Sequence, residues 1–284
     1  MERIVYVNGG YVQESDAKVS VFDRGFLFAD GVYEVTSVLE GKLIDFDGHL
    51  RRLRRSLAEL GMAMPCPDEE LLNIHRQLVA KNAVVEGLVY LQVTRGAADR
   101  DFAFPRDVPQ TLVLFTQAKS IVDSPLAKRG ARVVSVDDLR WGRRDIKTVQ
   151  LLYPSMAKMI AQEKGADDAW LVQDGLVTEG TSNNAYIVTQ DGTIVTRDLS
   201  SDILAGITRA AVLKCARELQ MKVEERPFSI AEALTAREAF TTSATGFVCP
   251  VVEIDGTALS DGNPGAVAVR LRQAYIEESL KAAI

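Results

Sequence analysis

The sequence has few residues of the kinds that bind metals. Its 284 residues include two histidines, His49 and His75, and three cysteines, Cys66, Cys215 and Cys249. None of them forms a Cys-x-x-Cys or His-x-x-x-His spacing, so neither a zinc site nor an iron–sulfur site is expected. An odd number of scattered cysteines is typical of reduced thiols, and we therefore expect a cytoplasmic protein that holds no metal.

Long apolar stretches are missing as well. The longest stretch without a charge, Ala239 to Val252, has 14 residues and includes threonine, serine, glycine and proline. A membrane-spanning helix needs about 20 predominantly apolar residues. The first residues, Met1 to Val7, contain no apolar segment of signal-peptide length. We expect no membrane partner.

The sequence also lacks an excess of positive charge. Thirty-three lysines and arginines against 39 acidic residues leave a net charge of −6. Proteins that neutralise phosphates usually carry a basic stripe, so no nucleic-acid partner is expected. The G-x-G-x-x-G, G-x-x-x-x-G-K and G-x-S-x-G motifs are absent. A Ser-His-Asp triad is not expected from two histidines in charged helical contexts, and His75 is predicted on a helix surface.

The composition, 47% hydrophobic and 25% charged, is that of a globular protein long enough for two domains. Short β-branched segments predict strands, and apolar residues spaced by three and four predict helices. The charged segment 119–130, with Pro125 and Gly130, separates two strand-rich halves. We predict α+β domains at 1–118 and 131–284, joined by a linker at 119–130. The predicted helices include one that ends at Gly61 and others at 68–82, 154–164, 207–219, 230–234 and 265–282.

Three polar clusters stand out, whereas composition and spacing alone do not distinguish Lys147 from the other lysines. The turn Gly206-Ile207-Thr208 precedes a predicted helix, so its N–H groups and hydroxyl suit a phosphate, although Thr208 could equally be a helix cap. The polar segments 178–184 and 241–246 could present a carboxylate and hydroxyls, or could be ordinary loops. Lys147 lies in an apolar stretch, where a lysine usually extends to the surface.

Five motifs follow one another in the order and at the separations of a known family. They are Phe22-Asp23-Arg24-Gly25-Phe26 with Ala29-Asp30-Gly31-Val32-Tyr33-Glu34-Val35, His49-Leu50-Arg51-Arg52-Leu53, Asp145-Ile146-Lys147, Thr178-Glu179-Gly180-Thr181-Ser182-Asn183-Asn184 and Gly206-Ile207-Thr208-Arg209. With them the chain resembles, nearly end to end, the fold-type IV pyridoxal-phosphate enzymes, or class IV aminotransferases, and most closely the D-amino acid aminotransferases. The resemblance implies two α+β domains with pyridoxal 5'-phosphate in the cleft between them.

The resemblance also implies which residues use the cofactor. Lys147 would form a Schiff base with it and later move a proton between the substrate Cα and C4′. Glu179 would keep the pyridine nitrogen protonated, so that the ring accepts electrons from the carbanion. Leu204 would pack under the ring.

A second group of residues would bind the cofactor phosphate. The resemblance assigns this role to Arg52, Thr208 and the N–H of Ile207. The threonine that the family uses in the third polar cluster falls on Ala244 here. Ser243 or Thr245 would therefore replace it.

Substrate recognition is implied by a third group. In D-amino acid aminotransferases a tyrosine, an arginine and a histidine bind the substrate α-carboxylate. Tyr33 and Arg100 match the first two, and Phe102 stands in place of the histidine. Ser37 stands where some relatives carry lysine, and Thr36-Ser37 faintly resembles the (R)-selective amine transaminases. Since the loop of Arg100 crosses the dimer interface in this family, a homodimer is expected.

The sequence thus predicts an enzyme that moves the amino group of D-amino acids such as D-alanine or D-glutamate to 2-oxo acids. Related enzymes on the same fold remain alternatives: a branched-chain L-amino acid aminotransferase, an (R)-selective amine transaminase or an aminodeoxychorismate lyase. A catalytically silent protein that binds pyridoxal phosphate is the non-enzymatic alternative.

Overall fold

The computed structural model describes residues 2–284 as two compact units, each built on one β-sheet. The first unit comprises the residues up to Ser120 together with Ile146–Gln150 and Ala282–Ile284. The second comprises Ile121–Asp145 and Leu151–Lys281. Lys147 therefore groups with the first unit, although it lies within the segment 131–284 that the sequence assigns to the second domain. The domain boundaries drawn from the sequence remain a prediction.

The first unit is an antiparallel sheet with helices on one face. Its elements are β1 (Ile4–Val7), β2 (Gly10–Gln13), α1 (Arg24–Phe28), β3 (Gly31–Leu39), β4 (Lys42–Leu43), α2 (Phe46–Glu59), α3 (Asp68–Lys81), β5 (Gly87–Thr94) and β6 (Thr111–Ala118). The strand order is β2-β1-β6-β5-β3-β4. The helices α2 and α3 cover the face to which Val32, Leu91 and Leu114 contribute core side chains.

The apolar stripes of α2 and α3 explain why this face is covered. Leu53 and Leu57 of α2 pack in the same core as Leu71 and Leu78 of α3. The prediction that His75 lies on the helix surface is wrong, because it is four residues after Leu71 on the buried stripe and is only 2% exposed. Its Nδ1 lies 2.7 Å from the Leu71 carbonyl oxygen. Burial lowers the pKa of His75 to about 4.

The second unit is a larger mixed sheet. Its elements are α4 (Pro125–Arg129), β7 (Ala131–Asp137), α5 (Leu152–Glu163), β8 (Asp168–Gln173), β9 (Leu176–Gly180), β10 (Asn184–Val188), β11 (Ile194–Thr196), α6 (Ile207–Glu218), β12 (Val223–Glu225), α7 (Ile230–Leu234), β13 (Glu238–Ser243), β14 (Phe247–Ile254), β15 (Thr257–Ala258) and α8 (Ala266–Ala282). The strand order is β12-β11-β10-β13-β14-β7-β8-β9, with β15 paired to β14. Parallel pairs join β7 to β8 and to β14, whereas β13 pairs antiparallel with β14 and β10. The α+β class predicted from the sequence is confirmed.

The predicted linker contains one element that the sequence did not indicate. The helix α4 begins at Pro125, and the hydroxyl of Ser124 accepts a hydrogen bond from the Ala127 N–H at 3.4 Å. Proline is well suited to the first position of a helix, because an N–H at that position would have no partner within the helix. Among residues 2–284, no helix has the length and apolar character needed to cross a membrane.

Candidate active site

Lys147 is fixed to β3 in the first unit. Its carbonyl oxygen accepts a hydrogen bond from the Tyr33 N–H at 3.0 Å, and Thr148 pairs with Val32. The Lys147 N–H lies 3.3 Å from the Ser56 hydroxyl oxygen. The half-buried side chain places Nζ 4.2 Å from the centroid of the Tyr33 ring. A lysine over an aromatic face is held by a cation–π contact instead of extending freely into solvent.

Arg52 belongs to a buried charged cluster in the same unit. Its Nε and Nη2 donate to the two carboxylate oxygens of Glu34 at 2.8 and 2.7 Å. The Nδ1 of His49 lies 2.7 Å from Glu34 Oε2. Burial alone would raise the pKa of Glu34, but the Arg52 charge and the hydrogen bonds from Arg52 and His49 outweigh it and lower that pKa to about 2. Arg52 is thus a cation with a fixed orientation.

The sequence motifs contain Glu34 and His49 but gave no reason to single them out. Both lie on elements whose other buried residues are mostly apolar, β3 and α2. The spacing of His49 and Arg52 was the usable signal, because residues three positions apart share one helix face. A carboxylate opposite that face could then have been inferred.

Tyr33 and Arg100 lie in different surroundings. The Tyr33 ring stacks on Tyr90 at a centroid distance of 5.6 Å and lies beneath Lys147 Nζ. Arg100 is exposed in the loop between β5 and β6, and its guanidinium carbon lies 5.3 Å from the Phe28 ring and 5.6 Å from that of Phe102. Phe102 is 79% exposed. The structure therefore brings Tyr33, but not Arg100, into contact with Lys147.

Glu179 lies near the end of β9 in the second unit with both carboxylate oxygens occupied. Its Oε1 accepts a hydrogen bond from Arg140 Nη1 at 2.6 Å. Its Oε2 accepts from the Asn184 side chain and from the Leu204 N–H, both at 3.1 Å. Glu179 and Leu204, two residues that the resemblance assigns to the cofactor ring, are thus in direct contact.

Arg140 connects Glu179 to a further buried carboxylate, Asp138. Its Nε and Nη2 donate to Asp138 at 2.9 and 2.7 Å. Burial alone would lower the pKa of Arg140, but the hydrogen bonds and charges of Asp138 and Glu179 raise it above its usual range. Sequence reasoning missed Arg140, because nothing in the segment around it predicts contact with a residue 39 positions away.

The turn at the start of α6 provides backbone N–H groups and a hydroxyl. Gly206 is the N-cap residue, so the alternative interpretation of Thr208 as the cap is wrong. Ile207 is the first residue of α6, and Thr208 follows it and is 3% exposed. A Cβ on residue 206 would lie 2.1 Å from the Asn184 Oδ1, so any other residue would require the asparagine or the helix start to shift. The unpaired first-turn N–H groups of a helix favour anions.

The third polar cluster forms the turn between β13 and β14. Ser243 and Thr245 are both half-buried. The Ser243 hydroxyl oxygen accepts the Gly246 N–H at 3.0 Å, which leaves its proton to be donated. Arg272 of α8 donates to the carbonyl oxygen of Gly246 at 2.6 Å and thereby holds the turn.

The chemistry of these donors fits pyridoxal 5'-phosphate, considered unit by unit. The first unit supplies a half-buried lysine, for which no ion pair is seen among residues 2–284, and a buried, oriented arginine. The second supplies a buried carboxylate and a helix start where a side chain at residue 206 would meet Asn184. The amine matches the aldehyde of that cofactor, the cation and the helix N–H groups match its phosphate, and the anion matches its ring nitrogen.

Comparisons with known proteins agree with this chemistry. The Amino-transferase class IV family matches residues 31–254. D-alanine aminotransferases from Bacillus licheniformis and Staphylococcus aureus (strain MSSA476) are similar to the chain. The first is 39% identical, over 98% of this chain and 99% of its own length; the second is 37% identical, over 97% of each.

Solved structures show the same fold. The branched-chain aminotransferase of the thermophilic archaeon Thermoproteus uzoniensis, solved with norvaline, has a TM-score of 0.89 at 25% identity, and the match covers 99% of this chain and 96% of that one. The Escherichia coli branched-chain enzyme has a TM-score of 0.88 at 22% identity, with 98% and 95% covered. The chain therefore belongs to the class IV aminotransferases, a family of pyridoxal-phosphate-dependent transaminases.

Proposed function

We propose that this class IV aminotransferase transfers the amino group of D-amino acids, of the D-alanine or D-glutamate type, to 2-oxo acids. The observation that carries the proposal is the similarity to D-alanine aminotransferases at 37% to 39% identity over nearly the whole chain. The two branched-chain enzymes compared above are only 25% and 22% identical to the chain, and what they share with it is the fold.

Lys147 and Glu179 carry the chemistry in this proposal. Bound pyridoxal phosphate supplies an electron sink for the carbanion that forms when the substrate Cα loses its proton. Lys147 would hold the cofactor through its amine and would take the proton from the substrate Cα. Glu179 would keep the pyridine nitrogen protonated, and Leu204 would contact the ring. Arg140, in contact with Glu179 at 2.6 Å, keeps that carboxylate oriented.

Arg52, Thr208 and the N–H of Ile207 bind the cofactor phosphate in this proposal, with Ser243 or Thr245 as a further hydroxyl donor. The fork that Arg52 makes to Glu34 supports this role, because it fixes the orientation of a buried cation.

Arg100 and Tyr33 bind the substrate α-carboxylate in this proposal. Among residues 2–284, Arg100 has aromatic contacts but no ion pair, so its charge is not neutralised by a carboxylate of the described chain. A carboxylate that leaves water needs such a cation. Phe102 replaces the family histidine and offers an aromatic ring instead of a hydrogen-bond donor.

We also propose that the enzyme is a cytoplasmic homodimer. The segment before and within α1 exposes apolar side chains, with Val21 at 67% and Phe26 at 76%. Phe26 and Val19 line a shallow groove together with Val113 of β6. Exposed apolar residues concentrated in one segment are typical of an interaction surface, and a second copy of this chain fits the family.

A half-reaction on the purified holoenzyme tests the proposed function. D-alanine, L-leucine and (R)-1-phenylethylamine are added separately, without an acceptor, while the visible absorbance of the bound cofactor is followed. We expect D-alanine to bleach it. Bleaching by L-leucine alone would identify a branched-chain enzyme, and bleaching by the amine alone an (R)-selective one.

Two further readouts separate the remaining alternatives. Release of pyruvate from aminodeoxychorismate without an acceptor would indicate a lyase. A protein that binds the cofactor but reacts with none of the donors would be catalytically silent. The variant Lys147→Ala should abolish bleaching, and retained bleaching would contradict the role of Lys147.

A further inference from the structure

Beneath the loop that carries Arg100 lies a buried charged cluster that the reaction does not explain. Arg24 of α1 is 2% exposed, and its Nε donates to Asp30 Oδ2 at 2.7 Å. Arg95, which directly follows β5, donates its Nε to the same oxygen at 2.8 Å. Two arginines thus share one carboxylate oxygen. We call Arg24, Asp30 and Arg95 the arginine cluster.

The two arginines use their remaining donors differently. Arg24 Nη1 donates to the carbonyl oxygen of Asp101 at 2.6 Å, and Asp101 directly follows Arg100. Arg95 Nη2 donates instead to the carbonyl oxygen of Leu60, at the end of α2, at 2.9 Å. Only Arg24 therefore connects the cluster to the loop at the position of Arg100.

A second connection to the loop is aromatic. The Phe28 ring lies 4.5 Å from the guanidinium carbon of Arg24 and 5.3 Å from that of Arg100. Phe28 also meets Phe102 edge to face, with 5.6 Å between ring centroids. The ring of Phe104 contacts Arg95 at 3.7 Å and Arg24 at 5.6 Å, and no contact between Phe104 and Arg100 is seen among residues 2–284.

We propose that Arg24 and Phe28 are positioning residues that hold Arg100 in the orientation that binds the substrate carboxylate. The loop is otherwise exposed from residue 99 to residue 104, so little packing restrains it. A charge-assisted hydrogen bond on the backbone next to Arg100 and a ring against its guanidinium restrict both the chain and the side chain. This inference rests on the proposed role of Arg100.

The chain offers a matched control for each residue. Arg24→Gln and Arg95→Gln each remove one buried guanidinium and one of the two hydrogen bonds to Asp30, while the other arginine still pairs with that carboxylate. Similarly, Phe28→Leu removes a ring that contacts Arg100, and Phe104→Leu removes one that does not. Since Arg24 and Arg95 are 2% and 8% exposed, the two arginine variants should lose similar stability, whereas only Arg24→Gln should affect Arg100.

The test is a stopped-flow half-reaction of each holoenzyme with increasing D-alanine, which separates the apparent dissociation constant from the limiting rate. We expect Arg24→Gln to raise the dissociation constant about tenfold, as the loss of one charged hydrogen bond would. Phe28→Leu should raise it about two- to fivefold. Limiting rates should change by less than about twofold, and Arg95→Gln and Phe104→Leu should leave the dissociation constant near that of the parent enzyme.

A double-variant comparison and hydrogen exchange complete the test. Because Arg24 acts through Arg100, Arg24→Gln should add no further loss of affinity in an Arg100→Gln background. Amide exchange over residues 97–108 should accelerate in Arg24→Gln and not in Arg95→Gln.

Three results would overturn the inference, and they are distinguishable. Equal weakening by Arg24→Gln and Arg95→Gln would show a purely structural role for Arg24. A large effect of Arg100→Gln without any effect of Arg24→Gln or Phe28→Leu would overturn the positioning role alone. An unchanged dissociation constant in Arg100→Gln would overturn the proposed role of Arg100 together with this inference.

Discussion

Two charged residues of the candidate site, Arg52 and Glu179, are buried and paired, one in each unit. In the first unit Arg52 pairs with Glu34, and in the second Arg140 pairs with Glu179. Removing an ion from water costs several kcal/mol, so such pairs are stable only when further hydrogen bonds complete them. His49 completes the first pair and Asn184 the second. Each site residue therefore depends on a partner that also fixes its orientation.

The pair of Glu34 and Arg52 leads to a prediction about stability. Glu34→Gln should lower the free energy of unfolding by about 3 kcal/mol, because it leaves Arg52 buried without a counter-ion. Urea unfolding measures this. The matched control is Asp68→Asn, which breaks an Arg54 pair of the same 2.7 Å distance whose side chains are 53% and 48% exposed. Asp68→Asn should lower the free energy of unfolding by less than about 1 kcal/mol. Equal losses in the two variants would contradict the importance of burial.

His75 leads to a prediction about pH. Its pKa is about 4 in the folded protein and 6.5 in its ordinary state, so the unfolded chain takes up the proton first as pH falls. The free energy of unfolding should therefore decrease as the pH falls from 6.5 to 4. It should be about 2 kcal/mol lower at pH 5 than at pH 7. Glu34 contributes in the same direction at lower pH, because its lowered pKa stabilises the fold above pH 4.5 and that contribution is lost towards pH 2.

The measurement is urea unfolding at pH 7 and pH 5. His75→Leu removes the titrating group from the buried stripe of α3 and should reduce the pH dependence, whatever its effect at pH 7. His49 and Glu34 are the titratable groups that influence His75, and both remain in the variant. A pH dependence equal to that of the parent protein would show that other groups cause the acid sensitivity.

At the scale of elements, strand β3 and the start of helix α6 organise the candidate site residues. Tyr33 and Glu34 are consecutive in β3, so they point to opposite faces of the sheet. Glu34 meets Arg52 on the helix-covered face, and Tyr33 lies against Lys147. One strand thereby orients two side chains with different partners.

The start of α6 leads to a prediction about cofactor binding. Gly206→Ala would place a Cβ 2.1 Å from Asn184 Oδ1, and Asn184 also donates to Glu179. The helix start or the asparagine must move, so we expect the dissociation constant of pyridoxal phosphate to rise at least about tenfold. Equilibrium binding to the apoenzyme measures this. Gly142→Ala, where nothing lies within 4 Å of the new Cβ, is the control, and equal affinities would contradict the prediction.

The sequence predicted most elements but few of their partners. The spacing of apolar residues predicted a helix at 230–234 and others within a few residues of α3, α5, α6 and α8. Helix α4 was missed, because its segment is charged and contains Pro125 and Gly130, which are typical of a linker. Arg140 and Glu34 were not singled out, because their partners are 39 and 18 positions away and periodicity carries no information about such contacts. The roles of Lys147 and Arg52 came from the family resemblance and remain proposals.

At the scale of the whole molecule, the exposed segment around α1 leads to a prediction about assembly. Analytical ultracentrifugation should give twice the 31.1 kDa mass of one chain. Val21→Asp should shift the protein towards monomers, because a charge in an apolar interface must lose its water. Val85→Asp is the control, since Val85 is 68% exposed against 67% for Val21. A monomeric parent protein, or equal dissociation of both variants, would contradict the proposed surface.

The path of the chain has a consequence for synthesis on the ribosome. The first unit includes Ile146–Gln150, which are made after Ile121–Asp145 of the second unit, and Ala282–Ile284, which are made after all of it. The 4%-exposed side chain of Ile146 fills part of the first core, and Leu43 exchanges backbone hydrogen bonds with Ile284 at 2.8 and 3.2 Å. A nascent chain that ends at Ser120 therefore lacks pieces of its own core, so the half that begins first cannot finish folding first.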